Sequence, residues 1–250
     1  MTIKCGHRVS GTDRMVAAFE RFGARAALQV VHAGDRVELE ERTPIKDQGQ
    51  AGSCVAHAGC TSMEHVMAAP VPLACLQAYY DCRLQVGEQC VDEGSWPHVF
   101  VQVASNIGVC TEAEYPYDLD QLFTRPTDFS YQRAYDHRVL TGVALGADFD
   151  PVDDVERYVR ADVKPFGGWP VDDAFLGWTG DGIYDGPSGP SRGGHSMAVA
   201  GLEVRSDGTR AFKLQSSWRR SFGANGYVWV SEKFFRQGSD FAAFTKIGAP

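Results

Sequence analysis

Residues 44–57 read PIKDQGQAGSCVAH, and this stretch decides how the rest of the chain is interpreted. A glycine-rich loop runs directly into a predicted helix that begins at Ser53 and ends before Pro70. Cys54 therefore falls in the first helical turn, where backbone N–H groups without intrahelical partners favour an anion. A thiol in that position is expected to be acidic, so Cys54 is the predicted nucleophile.

The loop ahead of Cys54 supplies other groups that acyl transfer needs. Gly52 lets a substrate backbone approach closely, and the N–H groups of the helix end can hold an oxyanion. Gln48, six residues upstream, can add a side-chain amide to that oxyanion hole. The alternative is a buried structural cysteine, since free cysteines are common in protein cores. The Gly-Ser context at a loop–helix junction favours the catalytic interpretation.

The predicted general base is His195, which follows Gly193 and Gly194 at the start of an apolar strand. A cysteine nucleophile requires a neighbouring imidazole that accepts the thiol proton. His57 is a competing candidate. It lies one helical turn after Cys54, however, and its side chain is expected to point away from the helix mouth.

Further blocks of sequence follow in a fixed order. They are YYDC at 79–82, DEG at 92–94, GVCTEAEYPY at 108–117, GIY at 182–184, and SSW at 216–218 with FGANGY at 222–227. With the Cys54 loop and the spacing from Cys54 to His195, these blocks resemble the papain family of cysteine peptidases. The pattern is most similar to the bacterial, xylellain-like branch, and the likeness covers about residues 40–235.

The resemblance implies an α+β, papain-like fold of two lobes with the active-site cleft between them. The N-terminal segment, residues 1–40, is expected to pack on the second lobe or over the cleft. Residues 41–130 would form a left helical lobe carrying Cys54, and residues 131–250 a right, β-barrel-like lobe carrying His195. Short strand-like runs separated by Gly, Pro and Asp after about residue 130 agree with this division.

The resemblance also implies a function. A cysteine endopeptidase would use a thiolate–imidazolium pair and a thioester acyl-enzyme, with Gln48 in the oxyanion hole. Substrate-binding positions implied by the family are Gly52, Asp92, Glu93, Gly94, Gly194 and Trp218, the last also shielding the histidine. Two alternatives stay open: a weak or inactive binding module with the same fold, and an acyl or isopeptide transferase using the same residue pair.

Three departures from the family pattern bear on activity. Ser216 stands in the slot of the asparagine that orients the histidine, so a reduced rate is expected, with Gln215 or a water as a substitute orienter. Arg219 replaces a glycine, which predicts either a changed turn or a crowded cleft. Ala51 replaces a cysteine whose family partner matches Cys90, so that disulfide cannot form.

The remaining secondary structure is predicted from apolar periodicity. Helices are expected at 12–22, 73–84, 96–106 and 151–161, and strands at 138–144, 195–202, 211–216 and 226–230.

Composition narrows the choice of partners. The chain has 250 residues and a net charge of -8, which argues against nucleic-acid binding. No apolar run is long enough for a secretory signal or a membrane span, so a cytoplasmic protein, or one exported without a cleaved signal, is expected. The 7 cysteines lack zinc-site spacing, so neither metal nor cofactor is expected. The expected partner is a peptide or protein substrate, bound by a monomer.

Overall fold

Helices occupy the first half of the described chain and strands most of the second, as the composition change near residue 130 predicts. The computed structural model describes residues 5–6, 32–144 and 149–247. The helices are α1 (Cys54–Val66), α2 (Cys75–Gln85), α3 (Pro97–Asn106), α4 (Asp128–Ala134), α5 (Asp153–Arg160), α6 (Asp173–Leu176) and α7 (Glu232–Phe235). Two 3-10 turns cover Leu119–Gln121 and Tyr135–His137.

One sheet collects the described strands. These are β1 (Arg36–Glu38), β2 (Val139–Ala144), β3 (Phe166–Val171), β4 (Ile183–Tyr184), β5 (Gly193–Val204), β6 (Arg210–Gln215), β7 (Tyr227–Ser231) and β8 (Ser239–Ile247). The order is β2-β8-β3-β5-β6-β7-β4, and β1 pairs with β5. The pairs are antiparallel except that of β4 with β7.

The nucleophile helix α1 is central, because every residue from Cys54 to His65 is buried. Gly59 allows the close packing of α3: a Cβ at that position would lie 2.3 Å from the ring of Phe100. On the sheet side, Ser62 Oγ donates to the carbonyl of Lys164 at 2.6 Å, just ahead of β3. A helix covered on all sides has little freedom to shift, so its first turn is a fixed platform for Cys54.

The helical and sheet halves meet through aromatic rings. Phe100 of α3 lies 5.9 Å from Phe166 of β3 and 6.0 Å from Phe244 of β8, measured between ring centroids. Phe166 and Phe244 are themselves 5.8 Å apart. A second apolar cluster, around Trp169 and Phe175, lies wholly within the sheet half. These aromatic contacts tie α3, which packs against α1 at Gly59, to the sheet carrying His195.

The structure corrects several sequence predictions. The right half is an open sheet and not a closed barrel, since no pairing of the two end strands, β2 and β4, occurs within the described residues. The strands β3 and β8 were not predicted: β3 reads FGGWPV, whose Gly and Pro are typical of turns. The predicted helix at 12–22 lies outside the described residues, and the lobe boundaries remain a prediction.

The predicted helices and strands elsewhere are found within a few residues of their expected limits. Part of the predicted N-terminal segment, β1, joins the sheet by pairing with β5. In the described part of the chain, none of the helices combines the length and the apolar composition of a membrane span.

Candidate active site

Cys54 is the first residue of α1, and its sulfur is surrounded by backbone N–H groups. Those of Cys54 and Val55 belong to the helix end, that of Ser196 comes from β5, and that of Gly6 comes from the N-terminal segment. Each of these hydrogen bonds lowers the thiol pKa. Burial has the larger opposite effect, and the pKa of Cys54 is raised to about 11. In this closed arrangement the thiol is neutral.

Gln48 is fully buried beside Cys54, with its side-chain amide fixed at both ends. Its Nε2 donates to the carbonyl of Ala51 at 2.8 Å, and its Oε1 accepts from Ser217 Oγ at 2.6 Å. The backbone N–H of Gln48 also donates to the carbonyl of Ser217 at 2.8 Å. These two side-chain bonds assign the amide nitrogen and oxygen, and they fix Nε2 against the loop that precedes Cys54.

His195 lies on β5 directly opposite Trp169 of β3, and its ring is completely buried. The hydroxyl of Ser216 is 3.1 Å from Nε2. The indole of Trp218 stacks on the imidazole, with centroids 3.8 Å apart and planes inclined by 18°. Because Nε2 is engaged by Ser216, Nδ1 is the nitrogen that would exchange a proton with a thiol.

Gln215, suggested as a substitute orienter for His195, is hydrogen-bonded to Lys164. Its Oε1 accepts from the ammonium of buried Lys164 at 3.3 Å. Ser216 is the orienting contact that the structure shows.

Arg219 lies in a turn, at the position where the family pattern has glycine. Its φ is +59°, in the left-handed region that non-glycine residues enter at a cost. Its N–H donates to the carbonyl of Lys46 at 3.0 Å, and its guanidinium pairs with Asp47 at 2.8 Å. Arg219 thus takes a left-handed backbone conformation, and its side chain is paired with the nucleophile loop.

Asp92 joins two loops at the edge of the cleft. Its Oδ1 accepts from the Gly52 N–H at 2.8 Å and from the Tyr79 hydroxyl at 2.6 Å. The same hydroxyl accepts from the Gly94 N–H at 3.0 Å. These hydrogen bonds bind the nucleophile loop to residues 92–94, near the place where the family resemblance would put a disulfide. Cys90 is an exposed free thiol.

The other predicted substrate-binding residues differ in placement. Gly94 is buried, with φ +88°. Glu93 is exposed, and Gly194 lies on β5 opposite Pro170.

The N-terminal segment passes between two of the predicted substrate-binding glycines. The carbonyl of Gly6 accepts from the Ser95 N–H at 2.9 Å. A Cβ on Gly6 would lie 1.8 Å from the Gly52 carbonyl oxygen, and a Cβ on Gly94 would lie 1.9 Å from the Gly6 oxygen. A side chain at Gly6 or Gly94 would therefore collide with the backbone of the neighbouring segment. Cys5–Gly6 therefore lies across the cleft, in contact with Cys54.

The family assignment comes from the sequence outside this covering segment. The family model for "Papain family cysteine protease" matches residues 33–239. The chain belongs to the papain family.

Relatives and solved structures of the papain family agree. The chain is 29% identical over 216 residues to cysteine proteinase EP-B 1 of Hordeum vulgare, covering 83% of this chain and 56% of that protein. It is 30% identical to digestive cysteine proteinase 2 of Homarus americanus, over 76% of this chain and 58% of the relative. The chain thus spans little more than half the length of these relatives. Xylellain from Xylella fastidiosa has the same fold, with a TM-score of 0.73 and 22% identity, over 86% of this chain and 87% of that one.

In this papain-family chain His57, the competing candidate for the base, contacts Ser53 and Tyr117. Its Nδ1 lies 3.0 Å from the carbonyl of Ser53, and its ring meets Tyr117 edge-on at 4.8 Å. Burial lowers the pKa of His57 to about 3, so the ring is neutral. It lines a separate cavity of about 640 Å³ with Lys46 and Cys75.

Sequence reasoning missed three contributors to the site: the Ser196 N–H, Ser217 and Gly6. The first is a backbone group, which residue identity does not reveal. Ser217 adjoins the predicted Ser216, but its role depends on the bridge between Asp47 and Trp218 that brings the two loops together. Within the described residues, no group of three or more His, Cys, Asp or Glu side chains is placed to hold a metal.

Proposed function

We propose that the chain is a cysteine endopeptidase whose nucleophile is Cys54 and whose general acid–base is His195. One observation carries this: the Cys54 sulfur lies at the N-terminus of α1, hydrogen-bonded to the backbone N–H that directly follows His195. A helix end that favours the thiolate and an adjacent imidazole held by Ser216 are the two parts a thiol protease needs.

The proposed reaction begins with transfer of the thiol proton to His195 Nδ1. The thiolate attacks a peptide carbonyl, and the oxyanion is held by the Cys54 N–H and by Gln48 Nε2. His195 then protonates the leaving amine, and water hydrolyses the thioester with the same imidazole as base. Ser216 Oγ accepts from Nε2–H and so keeps Nδ1 directed at the sulfur. Trp218 keeps water from that hydrogen bond.

The arrangement of the N-terminal segment supports a latent form of this protease. At Cys54 the segment presents the Gly6 N–H, while the Gly6 carbonyl is directed at Ser95. A thiolate needs a carbonyl carbon, so the contact at Gly6 blocks the nucleophile without offering it a bond to cleave. We infer that displacing residues 5–6 exposes Cys54 and removes the burial that raises its pKa.

A peptidyl epoxide tests the proposal, because it alkylates an activated thiol at neutral pH. Labelling is expected on Cys54 after the segment is displaced by limited proteolysis, with none in Cys54→Ala and strongly slowed labelling in His195→Ala. An intact, folded chain freed of the segment that still resists the epoxide would refute the protease and favour a binding module. Ligated products in place of hydrolysed peptides would instead indicate a transferase.

A further inference from the structure

We propose that Cys5 is a resolving thiol that forms a reversible disulfide with Cys54 and so locks the segment covalently across the cleft. The inference concerns regulation of the proposed active site and therefore rests on that proposal. The bond itself is measured independently of any activity.

The first support is the fixed position of the residue next to Cys5. Gly6 is held by its carbonyl to Ser95 and by its N–H to the Cys54 sulfur, in a gap that only glycines permit. Consecutive Cα atoms are about 3.8 Å apart, and the Gly6 nitrogen is bonded to the Cys5 carbonyl carbon. Cys5 is thus bonded directly to the peptide nitrogen that contacts the Cys54 sulfur, a proximity compatible with the Cα separation, roughly 4.4–6.8 Å, that disulfides require.

The second support is what surrounds Cys5. Its Cβ would lie 3.1 Å from a Cβ built on Gly193, two residues before His195, so the side chain is on the cleft side of the segment. The negative charge of a Cys54 thiolate adds to burial in raising the pKa of Cys5 to about 12. The two sulfurs are thus close enough for the charge of one to affect the ionisation of the other.

The other cysteines are less suited as partners for Cys54. Cys60, Cys75, Cys82 and Cys110 are buried, and belong to the apolar core around α1–α3. Cys90 is exposed. Cys5 is the described cysteine whose own neighbour touches the Cys54 sulfur.

The chemistry balances with a peroxide as oxidant. In the open form the Cys54 thiolate attacks hydrogen peroxide: an S–O bond forms, the O–O bond breaks, and hydroxide leaves to become water. When the segment closes, the Cys5 thiol gives up its proton and attacks the Cys54 sulfur. The S–S bond forms as the S–O bond breaks, and the departing hydroxide takes the proton as a second water. Two thiols are oxidised and one peroxide is reduced, and a dithiol reductant reverses the result.

The experiment uses the full chain treated with a small excess of hydrogen peroxide, alkylated in denaturant and digested with trypsin without reduction. Trypsin releases Cys5 in the peptide at 5–8 and Cys54 in the peptide at 47–83, which also holds Cys60, Cys75 and Cys82. Fragmentation of the joined pair is expected to place the bond at Cys54, and Cys54→Ser is expected to abolish it. Cys90→Ser is the matched control and keeps the bond.

Cys5→Ser gives the second measurement. Without a resolving thiol, Cys54 is expected to gain two oxygen atoms as sulfinic acid. Dithiothreitol followed by limited proteolysis should then fail to restore epoxide labelling of Cys5→Ser, whereas the same treatment should restore it at least about tenfold in the parent. Equal sulfinic acid formation in the parent and in Cys5→Ser, with no joined peptide, would overturn the inference. So would a bond from Cys5 to another cysteine. Finding the Cys5–Cys54 bond in a chain without peptidase activity supports the inference while refuting the protease.

Discussion

On the Cys54 side of the cleft the groups facing the reactive atom are backbone N–H groups, whereas on the His195 side they are side chains. The thiol is contacted by the amides of Val55, Ser196 and Gly6, next to a loop whose glycines permit close approach. The imidazole is held between the Ser216 hydroxyl and the Trp218 indole.

This difference indicates how each side can be changed. Backbone donors stay in place when side chains vary, so the pKa of the Cys54 thiol depends mainly on how deeply the sulfur is buried. Burial of the thiol outweighs four backbone hydrogen bonds that favour the thiolate, one of them from Gly6. Side-chain contacts vary with sequence, so we expect the His195 side to tolerate substitutions such as serine for asparagine, at the expense of rate.

Removing the imidazole should have the largest effect. In chain freed of the N-terminal segment, His195→Ala is expected to lower kcat/KM by about 10⁴-fold, because the thiolate loses its counter-ion and the leaving amine its acid. Steady-state hydrolysis of a fluorogenic peptide measures it. Activity within tenfold of the parent would mean that His57 or water replaces His195. The double variant with His57→Ala distinguishes these two cases, because it loses the remaining activity only if His57 is the replacement.

The covering segment should make alkylation of Cys54 strongly dependent on pH. With the thiol pKa raised to about 11, the reactive thiolate grows as pH rises, so alkylation by iodoacetamide should accelerate about tenfold per pH unit from neutrality towards pH 11. Because the thiol is half ionised at pH 11, the total gain over these four pH units approaches about 5 × 10³-fold. Mass spectrometry of the Cys54 peptide follows the rate. A flat profile between pH 6 and about 9 would show that the thiolate is already present under the segment.

Gly6→Ala should open the cleft in the intact chain. The new Cβ would lie 1.8 Å from the Gly52 carbonyl oxygen, so the segment has to leave its position. Peptidase activity at neutral pH should rise roughly tenfold or more. The control is Gly177→Ala, whose Cβ would meet its nearest atom at 3.4 Å and which should change nothing. Unchanged activity in Gly6→Ala would argue that residues 5–6 do not limit access.

Ser216 variants examine the His195 side. Ser216→Ala removes the hydroxyl that holds Nε2, and kcat should fall about tenfold with KM nearly constant, since only imidazole orientation changes. Ser216→Asn restores the family residue and should equal or exceed the parent rate. A rise in KM for Ser216→Ala would place Ser216 in substrate binding instead.

The smallest effect is expected at Arg219, which occupies a left-handed turn. Arg219→Gly and Arg219→Ala both remove the ion pair with Asp47, and only glycine relieves the backbone strain. Arg219→Gly should therefore be about 1 kcal/mol more stable than Arg219→Ala in urea unfolding. Equal stabilities of the two variants would show that the left-handed conformation costs little. The difference between Arg219→Ala and the parent reports the contribution of the half-exposed ion pair with Asp47, which is expected to be small.

The sequence by itself determined the local features. The loop-to-helix junction at Cys54, the buried helix after it and the glycine-led strand of His195 follow from residue type and spacing, because helix ends and periodicity are properties of neighbouring residues. The helices α1 to α3 were placed within a few residues for the same reason. Gln48 was predicted from its position in the loop, and its place in the oxyanion hole stays a prediction.

Only the tertiary structure decided what surrounds these features. The strand β3 contradicts its own Gly-Pro composition, because it is inserted between β5 and β8 and buried on both sides. Asp92 was predicted to bind substrate, and what the sequence did not show is that its carboxylate accepts hydrogen bonds from Gly52 and Tyr79, 40 and 13 positions away. The thiol pKa was expected to be lowered by the helix end and is raised, because the complete burial of Cys54 outweighs its backbone hydrogen bonds, and local sequence does not reveal burial in the folded chain.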